Sequence, residues 1–142
     1  MNRFLTDTEM ADLVTAIQIA ETKSSGEIRV HIDSNTQYDN AKVAFEVFNA
    51  LCKDKTAEKN AVLFHINFEQ RYLTIIGDEG IHKHVCQSFW NRLHDEITSE
   101  FSLGNYHSAL KNAILETGRE LKKYFPIVGE NHNELPNEIT FS

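Results

Sequence analysis

The sequence has little of what most readily gives a function away. Its 142 residues hold two cysteines, Cys52 and Cys86, too few for a disulfide framework or a cysteine-based metal motif. With six glycines and two prolines there is no phosphate-binding glycine loop, no dinucleotide fingerprint, no Gly-x-Ser-x-Gly and no low-complexity linker. Fourteen basic residues against 21 acidic ones give a formal charge of -7, which argues against nucleic acid or an anionic membrane surface as the main partner. No apolar run approaches the roughly 20 residues of a membrane-spanning helix. The opening "MNRFLTDTEM" lacks an apolar h-region and a small-residue cleavage site. A cytoplasmic protein with reduced, buried cysteines is the expectation.

What is present reads as one α/β domain over residues 1–126. Thr6 followed by Glu9 matches a capping box, and Met10, Leu13, Ile17 and Ala20 repeat at helical spacing behind it. "EIRVHID" alternates, with Ile28, Val30 and Ile32 on one face and Arg29 and His31 on the other, as a strand does. A polar loop follows, in which residues 35–38 read as a short extra edge strand. A helix over about 40–52 buries Ala44, Val47, Phe48 and Leu51. "AVLFHINF" is the most apolar strand and hence central, and Glu69-Gln70 turns it into "RYLTIIG" as a hairpin. A long helix carries Val85, Cys86, Phe89, Trp90, Leu93 and Ile97 on one side, and a last helix runs to Phe125, stopped by Pro126. Residues 127–142 are polar and aperiodic and read as a disordered tail. The predicted architecture is a sandwich, a small mixed sheet of three or four strands with helices on both faces.

Strand direction then points to a site. Strands one and two, joined by a helical crossover, run parallel, and the hairpin turns strand three antiparallel to both. The loop before strand one, residues 53–60, and Gly77-Asp78-Glu79-Gly80 therefore share one edge. They bring Glu27, Asp54, Glu58, Asp78 and Glu79 together, an oxygen-rich set of the kind that hard divalent cations take. Asp78 and Glu79 also stand at the start of a helix, where carboxylates cap free N–H groups, and the sequence leaves both readings open. The opposite edge, with Asp33, Ser34 and Asp39, ranks second, because Asp39 is placed to cap the second helix. His82 and His84 are two apart on a helix and point to different sides. His31, His65, His94 and His107 show no zinc spacing and are expected at the surface or half-buried. Trp90 and Phe89 read as core.

Taken in order, "SSGEIRVHI", "NAVLFHI", "RYLTIIGDEGI", "FW", "GNYHSAL" and "YFP" resemble the TPM domain family over about residues 5–126. That family is named for a thylakoid lumen protein, a photosystem II repair factor and a nematode receptor modulator. The resemblance implies an α/β sandwich and, in some members, a divalent metal near acidic loop residues, with acid phosphatase activity attributed to the plant lumen protein. The family's glycine-rich end of strand three falls on Gly77-Asp78-Glu79-Gly80. Its Asn-Gly before strand two falls on Asn60-Ala61, where the glycine is missing. The implied function is divalent-metal binding, Ca²⁺ first and Mg²⁺ or Mn²⁺ next, through Asp78, Glu79, Asp54 and Glu27. Metal-assisted phosphomonoester hydrolysis would be its chemistry. The alternative is a non-catalytic protein-interaction module, anchored by Tyr38, Tyr72 or Tyr106, in which any metal is structural.

Overall fold

The computed structural model describes residues 4–34, 39–127 and 136–142. The chain runs α1 (Asp7–Glu21), β1 (Glu27–Asp33), α2 (Asn40–Leu51), β2 (Ala61–Asn67), β3 (Tyr72–Gly77), α3 (Glu79–Ser102), α4 (Tyr106–Tyr124) and β4 (Thr140–Phe141). The sheet order is β3-β2-β1-β4, with β1 parallel to β2 and β3 antiparallel to β2. That is the predicted single α/β layer structure with helices on both faces. The possible edge strand at residues 35–38 lies outside the described residues.

Local chemistry explains where the helices begin. Thr6 Oγ1 accepts from the Glu9 N–H at 3.1 Å while Glu9 Oε1 accepts from the Thr6 N–H at 2.9 Å, the reciprocal capping box. Asp39 caps α2 by accepting from Ala41 and Lys42, and Asp78 caps α3 by accepting from Glu79. Leu13 and Ile17 of α1, Trp90, Leu93 and Ile97 of α3, and Leu110 and Ile114 of α4 bury one face of the sheet, formed by Ile28, Val30, Ile32, Val62, Phe64 and Ile66. On the other face Phe48 of α2 and Cys52 pack on Ala61 and Leu63.

Three expectations are corrected. All seven residues of β1 are buried, so His31 is not at the surface: Thr140 and Ser142 lie against its ring. Residues 140–141, read as part of a disordered tail, form β4 on β1, because backbone hydrogen bonds to a strand edge need no apolar period. Cys86, expected to be buried, is exposed at a break in α3, where its φ of 65° and ψ of 171° leave the helical region. Cys52 is buried as expected, and burial pushes its thiol up to about 12. A thiol reagent at pH 8 should therefore label Cys86 quickly in the native protein and Cys52 only on unfolding. Two fast thiols would show that the space under α2 opens.

Candidate metal centre

The strand edge expected to carry the site assembles as predicted but has its own internal partners. The Asp78 N–H donates to the Ala61 carbonyl, the Gly80 N–H to that of Lys59, and Ser25 Oγ to Glu58 Oε2. Beside the adjacent carboxylates lie a helix start, which Asp78 caps, and Lys59, whose Nζ sits 2.9 Å from Glu79 Oε1. That lysine draws the Glu79 carboxyl below its ordinary value. Asp54 is exposed, in the left-handed region at φ 59°. Glu27 is buried beside Glu21, whose Oε2 accepts from the Ile28 N–H at 2.7 Å.

The group with metal-ligand geometry lies at the other end of the sheet. Among the described residues, His31, Asp33 and His65 are the three whose ligand atoms all fall within 4.8 Å of one another. They are placed by strand alternation and register. His31 and Asp33, two apart on β1, share a face, and the parallel pairing sets His31 directly opposite His65 on β2. The two imidazoles stack with centroids 5.5 Å apart and planes 17° apart. His65 Nε2 lies 3.4 Å from Asp33 Oδ2. All three are buried, at 5%, 2% and 0% exposure, so the expectation of surface or half-buried histidines is corrected for His31 and His65.

Burial also sets their charge. It holds His31 down to about 4 and His65 below its ordinary value, with Asp33 opposing the effect at both. Both imidazoles are neutral near pH 7, the form that binds a metal. His31 Nδ1 and Nε2 hydrogen-bond to Thr140 Oγ1 at 2.6 Å and Ser142 Oγ at 2.7 Å. His65 Nε2 faces the Asp33 carboxylate, and Nδ1 has no hydrogen-bond partner.

The other histidines singled out in the sequence are accounted for by their neighbours. His82 accepts from the Trp90 indole N–H at 3.0 Å, and His84 stacks on Tyr124. His94 meets the Leu73 carbonyl, and His107 lies 2.7 Å from Asp12. Of the rival edge, Asp39 is a helix cap and Asp33 belongs to the metal-ligand group. His31 and His65 carry no linear signal of a shared site because only the pairing register of β1 and β2 brings them together.

Comparison with known proteins follows the same lines. The TPM domain family model matches residues 1–120. No curated protein matches the chain significantly. The solution structure of the BA42 protein from the psychrophilic bacterium Bizionia argentinensis is similar at 37% identity, with a TM-score of 0.90, over 100% of this chain and 98% of that one. The N-terminal domains of a Porphyromonas gingivalis (P. gingivalis) protein, at 16% identity and TM-score 0.71, and of Corynebacterium glutamicum cg2496, at 12% and 0.66, share the fold. They cover 92% and 90% of this chain, and 84% and 81% of their own chains are matched. Among the described residues no helix is long and apolar enough to cross a membrane. With a family model spanning most of its length and a relative of this identity matched end to end, the chain belongs to the TPM domain family.

Proposed function

We propose that the chain is a divalent-metal-binding domain of the TPM type, with His31, Asp33 and His65 as its ligands. One observation carries this reading: the buried His31, Asp33 and His65 hold ligand atoms within 4.8 Å of one another, and His65 Nδ1 has no hydrogen-bond partner. A buried polar group left without a hydrogen bond costs about 1–3 kcal/mol, and a metal ion is a partner that would offset that cost. Two neutral imidazoles and a carboxylate suit Zn²⁺ or Mn²⁺ better than Ca²⁺, which prefers oxygen ligands. The free thiols of Cys52 and Cys86 fit a reducing, cytoplasmic compartment. Phosphomonoester hydrolysis would need an ion that substrate can reach. The burial of the three residues favours an ion held inside the fold, as in an interaction module with a structural metal.

Thermal unfolding with Zn²⁺, Mn²⁺, Mg²⁺ and Ca²⁺ tests the reading. An ion at a hundredfold excess over its Kd should raise wild-type stability by about 2.7 kcal/mol. His65→Leu should abolish that rise, while its metal-free stability changes little, because the loss of the unpartnered Nδ1 is offset by leaving the buried Asp33 without its neighbour. Stabilisation that survives in His65→Leu would locate the ion elsewhere. The edge with Asp78, Glu79, Asp54 and Glu27 is then the next site, and Asp78→Asn with Glu79→Gln should remove the effect there.

A further inference from the structure

Resting on that metal site, we infer that residues 140–142 form a displaceable strap that competes with the metal ion for His31. The strap lies along β1 in parallel register, Thr140 beside His31 and Phe141 beside Ile32. Its backbone is held by the Ser142 N–H donating to the Ile32 carbonyl at 3.0 Å and the Ser34 N–H donating to the Ser142 carbonyl at 3.1 Å. Its side chains occupy both ring nitrogens of His31, Thr140 Oγ1 at Nδ1 and Ser142 Oγ at Nε2.

A neutral imidazole has one N–H and one lone pair, whichever tautomer it adopts. One hydroxyl therefore accepts from the ring, and the other donates its proton to the lone pair. A metal ion needs that same lone pair, so coordination by His31 and the full set of strap hydrogen bonds exclude each other at that nitrogen. His65 stands in contrast, with no hydrogen bond at Nδ1 to give up. Beyond its main-chain pairing and its bonds to the His31 ring, the strap is held by Thr140 Oγ1 donating to the Val30 carbonyl at 3.4 Å, by Ser34 Oγ donating to the Ser142 carbonyl at 3.3 Å and by Ile139 just before it on the core. β4 itself is two residues long and Phe141 is 51% exposed. A segment with few buried apolar contacts opens locally at small cost. Because linkage is reciprocal, the ion that displaces the strap binds more tightly once the strap is weakened.

The double variant Thr140→Val with Ser142→Ala keeps the backbone pairing and removes both hydroxyls. Calorimetric titration with Zn²⁺ should show tighter binding to it than to wild type, on the order of tenfold for the hydrogen bond no longer broken. In the wild type, Zn²⁺ should speed hydrogen exchange at the Ser34 and Ser142 amides, whose bonds hold the strap. This second measurement decides the matter if the double variant fails to fold. Equal or weaker binding by the double variant, or unchanged amide exchange in zinc-loaded wild type, overturns the strap and leaves the metal site standing. Binding by neither protein overturns both. Binding by the double variant alone supports both.

Discussion

Glu21→Gln should leave the protein about as stable as wild type at pH 5 and about 3 kcal/mol more stable at pH 8. Glu21 is 2% exposed, its Oε2 accepts from the Ile28 N–H, and its carboxyl is hydrogen-bonded to that of Glu27, itself 1% exposed. Burial first and the Glu27 charge second push it from 4.5 up to about 9. Between those values the native protein keeps a proton that the unfolded chain releases. Stability is therefore full below about 4.5 and falls as pH rises through about 9. Glutamine cannot ionise, yet its carbonyl can accept from Ile28 and its amide can donate to Glu27. Urea midpoints at pH 5 and pH 8 measure the difference. Parallel pH curves for the two proteins would mean that the shared proton lies elsewhere.

Gly80→Ala should cost about 3 kcal/mol and lower the melting temperature by about 10 °C. A Cβ built there would lie 2.1 Å from the Glu58 carbonyl oxygen and 2.5 Å from that of Lys59. Both are backbone atoms, so no flexible side chain can move aside. The 53–60 loop or the start of α3 must shift instead, breaking the bond from the Gly80 N–H to Lys59. Alanine is the better helix former by about 1 kcal/mol, which the clash outweighs. Scanning calorimetry decides it, and a melting temperature unchanged or raised would show that the loop yields. This close approach explains the second glycine of "GDEG" as a matter of space.

The architecture was legible because each local signal agreed with the next. The Thr6–Glu9 box starts α1, the apolar face of "EIRVHID" and the run "AVLFHI" make the two central strands, and the helix between them makes those strands parallel. The capping roles of Asp39 and Asp78 could be read from their places before helices. The metal-ligand group could be read only halfway. Alternation puts Arg29, His31 and Asp33 on one face of β1, but setting His65 beside them requires the register of two strands separated by a helix and two loops. Reading His31 as buried also required knowing that residues 140–142 return to lie against it. β4 gave no signal at all, because it is two residues long and held by main-chain and hydroxyl hydrogen bonds.

The outer side of β1 has one further consequence, for self-association. A strand with bare N–H and C=O groups invites a strand from another molecule. Here the two ends of that side are closed by different means. The Glu21 carboxyl takes the Ile28 N–H as a neighbouring strand's carbonyl would, and residues 140–142 take the Ser34 N–H and the Ile32 carbonyl. The first closure is a buried side chain and the second is a short segment held mainly by hydrogen bonds. Lifting that segment leaves half an edge open while Glu21 keeps the other half shut, so a second chain could pair only beside His31 and Asp33.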